Sequence, residues 1–149
     1  MRCALVPTRL AAAILAVGLT GCDLQHPKLP AELGGPWVVQ QIAGASLGAG
    51  DEIYFEVNAA TGEIVGYTGC NRFRAPMTSF GNVLTIGAIQ EQPGQCASAA
   101  AATDKARFVG VLSSVRRYAR HGKSLELLPQ GSGEALLLLR VDNFANLTN

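Results

Sequence analysis

The chain has 149 residues, a formal net charge of +1 at pH 7 and 15% charged residues. A charge this close to zero gives no concentrated basic surface for holding nucleic acid, so no nucleic-acid partner is expected. The length allows one compact domain with an apolar core and is too short for two domains of ordinary size.

Residues 1–21 are typical of a secretory signal peptide. Arg2 and Arg9 are basic, and the apolar stretch that follows, LAAAILAVGL, is too short to span a bilayer comfortably. The segment ends in Leu-Thr-Gly-Cys, which resembles a bacterial lipobox. We therefore predict that Cys22 is acylated and becomes the mature N-terminus. The alternative is cleavage at an Ala-rich site, with Cys22 left as a spare thiol.

Acylation of Cys22 would anchor the protein to a membrane through lipid, without a spanning segment, and the domain would face the bacterial periplasm. Asp23 resembles the signal that keeps lipoproteins of enteric bacteria in the inner membrane, so the inner membrane is favoured over the outer. Cleavage removes two of the twelve basic residues and leaves ten against eleven acidic ones, a mature charge of −1. A spacer is predicted at 22–35, the folded domain at 36–142 and a tail at 143–149.

Apolar alternation predicts a sheet in the first part of the domain. In the stretch at 52–58, Ile53, Phe55 and Val57 share one face, as in a half-buried strand. Gly66 and Gly69 inside the next strand suggest a bulge or a close approach of two backbones. The four strands predicted here lie at 36–44, 52–58, 64–73 and 83–89.

One helix is predicted from Ser98 to Arg117, because Phe108, Val115 and Tyr118 recur at helical spacing. Gly122 would end it. The basic run RRYARHGK at 116–123 is interpreted as a solvated helix end, with contact to an anionic membrane as the alternative. Two closing strands, SLELLP and ALLLLRV, complete a mainly antiparallel sheet.

Two of the four cysteines remain in the mature domain if Cys22 carries lipid, since another leaves with the signal peptide. An exported domain faces an oxidising compartment, so Cys70 and Cys96 are predicted to form a disulfide. A catalytic thiol would need a base, and His26 and His121 are the only mature histidines. A zinc site would need clustered ligand spacing, which is not present in the sequence.

The stretch Gly69, Cys70, Asn71, Arg72, Phe73 resembles the signature of the META/HslJ-like domain, a family of small bacterial envelope proteins that are often lipoproteins. The similarity extends from about Trp37 to Val141 and includes Trp37, Ile42 and Gly44 at the start. Lys105 departs from the family, which usually has Glu three residues before the helix Phe. A binding role for that Glu is therefore not carried over.

The resemblance implies an α+β fold: a curved, mainly antiparallel sheet or incomplete β-barrel with one packed α-helix. It also implies no enzymatic activity and no cofactor, and links the family to heat shock and antibiotic tolerance. Within the signature, Gly69 is expected to let the backbone approach the disulfide, and Asn71 to fix a corner through its amide. Arg72 is expected to pair with Glu56 or Glu91; the alternative is a ligand or partner contact.

The sequence contains no motif of a hydrolase, a nucleotide-binding loop or a metal site, so no catalytic or metal-binding residue is predicted. We expect a monomeric, non-enzymatic lipoprotein that acts on an envelope protein partner in envelope maintenance or stress tolerance. One alternative is a carrier of a small ligand or lipid inside the barrel. Another is an inhibitor of a periplasmic hydrolase, with RAPMTSFGN at 74–82 as its reactive loop.

Overall fold

A computed structural model of the chain describes residues 29–48, 52–131 and 135–142. The predicted signal peptide, the acylated Cys22, Asp23 and the tail 143–149 lie outside them. In chain order, the described elements are a 3-10 helix Ala31–Leu33, then β1 (Gly35–Ile42), β2 (Ala45–Ser46), β3 (Tyr54–Asn58), β4 (Glu63–Tyr67), β5 (Arg72–Phe80), β6 (Val83–Ile86), β7 (Gln90–Glu91), α1 (Ala99–Ser114), β8 (Val115–His121), β9 (Ser124–Pro129) and β10 (Leu136–Arg140).

The strands form one antiparallel sheet that closes into a barrel. Following the hydrogen bonds, the order around the wall is β1, β3, β4, β5, β6, β8, β9 and β10. Closure comes from β10, which pairs with β1 from Trp37 opposite Arg140 to Ile42 opposite Leu136. Short strands β2 and β7 add to β1 and β5. The predicted α+β class is confirmed, and the barrel is complete in its pairing.

The two ends of the barrel are covered differently. At the end called here the N-terminal end lie the 3-10 helix and the β3–β4, β5–β6 and β8–β9 turns. At the opposite end, called the helix end, α1 packs against β1, β6, β9 and β10. The segment that joins β4 to β5, the end of β9 and the start of β10 also lie at the helix end, because successive strands of an antiparallel barrel run in opposite directions.

Strict alternation places the apolar side chains inside the barrel. Along β5, Phe73, Ala75 and Met77 are buried and the residues between them are exposed. The rings of Phe73 and Phe108 meet edge to face with centroids 5.6 Å apart, and Phe55 lies 6.3 Å from Phe108. Such aromatic pairs add about 0.5–1.5 kcal/mol each beyond their apolar burial.

The predicted helix is right at its start and too long at its end. The Ser98 hydroxyl oxygen accepts a hydrogen bond from the Ala101 N–H at 3.0 Å, a normal N-cap. The chain leaves the helix after Ser114 and β8 begins at once, so the basic run at 116–123 is a strand and a turn instead of a helix end. Pairing with β9 along the length of β8 outweighs the helical spacing of the apolar residues.

The predicted strand at 64–73 is also two strands. It contains the end of β4, a corner at 68–71 and the start of β5, which the sequence prediction did not include as a separate strand. The predicted reactive loop at 74–82 is mostly β5, followed by the turn into β6. β7 and β8 were likewise not predicted. The described part of the chain therefore has seven strands before α1 and three after it, instead of four and two.

The folded domain begins earlier than position 36. The Leu29 N–H donates to the Ala59 carbonyl at 3.1 Å, and the side chains of Leu29 and Leu33 are buried in the core. The Trp37 indole N–H donates to the Leu33 carbonyl at 2.9 Å, beneath the 3-10 helix. Residues 29–35, predicted to be spacer, thus close the N-terminal end of the barrel.

Candidate functional site

The corner between β4 and β5 is fixed by reciprocal hydrogen bonds. The backbone N–H and the hydroxyl of Thr68 donate to the Asn71 carbonyl at 2.9 and 3.2 Å, and the Asn71 N–H donates to the Thr68 hydroxyl oxygen at 3.1 Å. Gly69 has φ +85°, a left-handed conformation that costs other residues energy. The role of Gly69 is this turn; a Cβ there would make only ordinary contacts.

A disulfide joins Cys70 in this corner to Cys96 before α1, with the sulfur atoms 2.01 Å apart and the Cα atoms 4.5 Å apart. The glycine that permits the close approach is Gly94, which the sequence analysis did not single out. A Cβ at Gly94 would lie 2.8 Å from the Cys70 carbonyl oxygen and 2.9 Å from the Asn71 amide nitrogen. The bonded Cys70 has no free thiol, and His121 lies at the opposite end of the barrel.

Asn71 connects the corner to the helix. Its side chain, 6% exposed, donates to the Gln92 carbonyl at 2.6 Å and accepts from the Lys105 ammonium at 2.7 Å. The ammonium of Lys105 also pairs with Glu91 at 3.0 Å. Asn71 thus fixes the corner through its backbone, while its amide, predicted to bond neighbouring backbone, instead joins the corner to Gln92 and Lys105. Lys105, which departs from the family, completes the polar network.

The prediction that Arg72 pairs with Glu56 or Glu91 is wrong. Glu91 pairs with Lys105 instead, at 3.0 Å. Among the described residues, Arg72 makes no ion pair with either carboxylate. Arg72 is the first residue of β5 and its side chain is exposed.

Arg72 lies on the outer face of the barrel, where three strands form a shallow groove. Pairing sets Tyr54, Tyr67 and Arg72 in one row across β3, β4 and β5, and Glu56, Val65 and Arg74 in the next. The cavity within this groove has a volume of about 530 Å³. It is lined by Tyr54, Glu56, Glu63, Val65, Gly66, Arg72, Phe73, Arg74, Gln90 and Gln92. We call this surface the outer groove.

The outer groove has one basic side and one acidic side. Arg72 and Arg74 alternate along β5, so their Cα atoms are about 7 Å apart on the same face. Neither guanidinium pairs with a carboxylate of the described chain, whereas Glu56 and Glu63 lie across the groove on β3 and β4. Two unpaired guanidinium groups can each bind a carboxylate through two hydrogen bonds.

Apolar and aromatic surface lies between the charges. Val65, at the middle of the groove, is 46% exposed, and the rings of Tyr54 and Tyr67 are 5.8 Å apart. A second cavity of about 370 Å³ shares Glu63, Arg74 and Gln90 with the first and extends the groove toward the β3–β4 turn. Tyrosine and arginine beside an exposed aliphatic side chain are the residue types enriched in protein interfaces.

The interior of the barrel differs from this groove. Trp37, Phe55 and Phe108 are fully buried, and the two cavities named above open on the outer wall. Across 29–48, 52–131 and 135–142, no three side chains of the His, Cys, Asp or Glu type are grouped so as to hold a metal ion. The same residues include no helix long and apolar enough to span a membrane.

Among the described residues, Tyr118 at the N-terminal end has a raised pKa. Burial raises the pKa of Tyr118, and the Glu32 carboxylate raises it further by accepting a hydrogen bond from the phenol at 2.8 Å and by its negative charge. This contact links β8 to the 3-10 helix. It makes Tyr118 a structural group at the end of the barrel, remote from the outer groove.

Among the five signature residues at 69–73, only Arg72 has an exposed side chain in the outer groove. Asn71 is in the helix-end network, Phe73 is largely in the core, and Gly69 and Cys70 belong to the corner. Arg74, which also lines the outer groove, was not singled out in the sequence, although the alternation in RFRAPM places it on the same face as Arg72. This alternation is visible in the sequence, but it is informative only once β5 is recognised as a strand.

A family model described as the META domain matches residues 30–143. Among solved structures, an NMR structure of a protein from Burkholderia xenovorans is similar at TM-score 0.60 and 19% identity, covering 93% of this chain and 100% of that one. A crystal structure of a DUF4847 family protein from Bacteroides vulgatus has TM-score 0.52 and 12% identity, covering 75% and 96%. At these identities the likeness concerns the fold alone. No curated protein matches the sequence.

Proposed function

Because the chain belongs to the META domain family, we propose that it is a non-enzymatic lipoprotein of the bacterial envelope that acts through contacts with other proteins. Envelope maintenance or stress tolerance is the setting in which it would act. Acylation at Cys22 would hold it at the membrane, facing the periplasm, with Asp23 favouring the inner membrane. The observation that carries the protein-contact role is the outer groove.

The charges of the outer groove favour a partner segment with acidic side chains. Arg72 and Arg74 repeat at the two-residue period of β5, and an extended peptide lying along the strand would present its own alternate side chains at the same spacing. Two carboxylates of such a segment could each meet one guanidinium. Val65 and the tyrosine rings would lie beneath its apolar atoms.

The two alternatives from the sequence have less support. A carrier would place its ligand inside the barrel, and Phe55, Phe73 and Phe108 occupy that volume in mutual contact. An inhibitor would use 74–82 as a flexible reactive loop, and most of these residues are paired in β5, which leaves only the short β5–β6 turn unpaired. A protein-contact role requires neither an internal cavity nor a flexible loop.

In-cell photo-crosslinking tests this proposal. A photoreactive amino acid at Val65 reports on the outer groove, and the same residue at Leu139 is the matched control, because Leu139 is 39% exposed on β10, across the barrel. We expect a protein-sized adduct from position 65 in membrane fractions, and no such adduct from position 139.

Charge reversal then identifies the groove as the cause. The double variant Arg72→Glu, Arg74→Glu should lose the adduct from position 65, because acidic partner side chains would be repelled. Both side chains are exposed, so the melting temperature of the domain should stay the same. An equal adduct at both positions, or one that survives charge reversal, would contradict the proposed contact.

A further inference from the structure

The N-terminal end of the barrel carries the most exposed large apolar side chain of the described residues. Phe80 ends β5 and is 90% exposed, and its partner across the turn, Val83, is 45% exposed. The β5 strand extends past the β3–β4 turn, because Pro76 is already opposite Glu63. The β5–β6 turn therefore projects from the N-terminal end with two apolar side chains at its tip.

Basic side chains lie beside this tip. Val83 pairs with Arg117 on β8, and from there β8 runs on to His121 and to Lys123 in the next turn. Arg117, His121 and Lys123 are exposed, and none of them pairs with a carboxylate of the described chain. We call Phe80, Val83, Arg117, His121 and Lys123 the hairpin patch.

Glu32, Glu63 and Asp142 also lie at this end, but none of them makes an ion pair with a basic side chain of the hairpin patch. Glu32, in the 3-10 helix, accepts the hydrogen bond of the Tyr118 phenol. Asp142 follows β10 and makes no ion pair with a described basic group. The hairpin patch thus combines an aromatic tip with a basic margin.

The chain from Cys22 enters the domain at this same end. Leu29 is fixed there by its hydrogen bond to Ala59 in the β3–β4 turn and by burial of its side chain. Only seven residue steps separate Cys22 from Leu29, and a fully extended chain covers about 25 Å in seven steps. An acyl group on Cys22 would therefore keep the N-terminal end within about 25 Å of the lipid, so this end would meet the bilayer first.

We propose that the N-terminal end rests on the membrane, with Phe80 inserted among the lipid headgroups and Arg117 and Lys123 facing anionic lipid. This inference rests on the proposed acylation of Cys22. An aromatic ring gains by leaving water at the headgroup boundary, and basic side chains beside it are attracted to anionic lipid. The outer groove would then lie on the side wall and the disulfide at the far end, both open to the periplasm.

Fluorescence quenching tests the orientation. Full-length acylated chain with Phe80→Trp is reconstituted in vesicles of phosphatidylethanolamine and phosphatidylglycerol whose acyl chains carry bromine, a quencher confined to the bilayer. Ala106→Trp, on an exposed position of α1 at the helix end, is the matched control. Trp37 is buried and common to both variants, so the signal is read as the difference from the unsubstituted chain.

We expect a blue shift and loss of emission for Phe80→Trp in brominated vesicles, and no difference from plain vesicles for Ala106→Trp. Replacing Arg117 and Lys123 by Glu should weaken the quenching at position 80. A chain that stays with the vesicles but shows equal quenching at both positions would overturn the orientation and leave the anchor intact. A chain that lacks the mass of an acyl group and does not float with the vesicles would contradict the acylation of Cys22, and the proposed orientation with it.

Discussion

The two ends of the barrel are closed by different chemistry. The helix end is held by a disulfide and by the polar network of Asn71, Lys105 and Glu91, in addition to the apolar face of α1. The N-terminal end is closed by the buried Leu29 and Leu33 over Trp37, with one hydrogen bond from Tyr118 to Glu32 at its edge. One end is thus joined by a covalent bond, and the other by packing and hydrogen bonds alone.

Because of this difference, the stability of the fold depends mainly on the helix end, whereas attachment to the membrane would involve the N-terminal end. A covalent link at the helix end restricts the unfolded chain whatever happens at the membrane. The N-terminal end depends on the position of residues 29–35, the segment on which a lipid anchor would exert force. We therefore expect substitutions at the helix end to lower the stability of the whole domain most. Substitutions at the edge of the N-terminal end should have smaller effects that depend on pH.

The largest effect should come from the disulfide. Cys70 and Cys96 are 26 residues apart, and removing a cross-link of that size costs about 3.5 kcal/mol of unfolding free energy in the chain-entropy description. We expect Cys70→Ser and Cys96→Ser to lower urea stability equally under oxidising conditions. A reductant should bring the unsubstituted chain close to both variants. Equal stability of all three under oxidising conditions would contradict the pairing.

Asn71→Ala should have the next largest effect. It removes a buried amide that bonds Gln92 and Lys105, and loss of such partners costs about 1–3 kcal/mol. Asn82→Ala, in the exposed β5–β6 turn, is the control and should stay within about 0.5 kcal/mol of the original chain. If urea unfolding gives the two variants the same free energy of unfolding, the polar network does not stabilise the helix end.

The smallest effect should appear at the N-terminal end at high pH. The pKa of Tyr118 is raised by burial and by Glu32, so between its unfolded and folded values the unfolded chain has lost a proton that the folded chain keeps. The contribution of Tyr118 is therefore full below about pH 10 and declines as the pH rises further. Thermal melts of Tyr118→Phe should show a shallower loss of stability in that range, and a parallel loss would rule out this linkage.

Structural features with a local cause could be predicted from the sequence, and features that depend on the whole sheet could not. The shared face of Ile53, Phe55 and Val57, in β3 and directly before it, follows from alternation alone, and the structure buries all three. The extent of α1 could not be predicted in this way, since β8 exists only because β9 is available to pair with it. Local spacing from Phe108 to Tyr118 fits a helix, and only the closed barrel decides against it.

The candidate site shows the same limit. The cysteine pair could be predicted from the residue count and the expected compartment, because few alternatives remain. The absence of an ion pair at Arg72 could not be predicted, because the pairing of Glu91 with Lys105 depends on where α1 lies. The outer groove depends on strand register, which sets Arg74 beside Val65, and register is a property of the whole sheet.

The membrane anchor is the claim on which both proposals depend, and the intact mass of the full-length chain purified from membranes tests it most directly. We predict a chain that begins at Cys22, carries the mass of its acyl groups, and is two hydrogens lighter than the reduced form because Cys70 and Cys96 are joined. A chain that retains residues 1–21, or one with an unmodified Cys22, would contradict it.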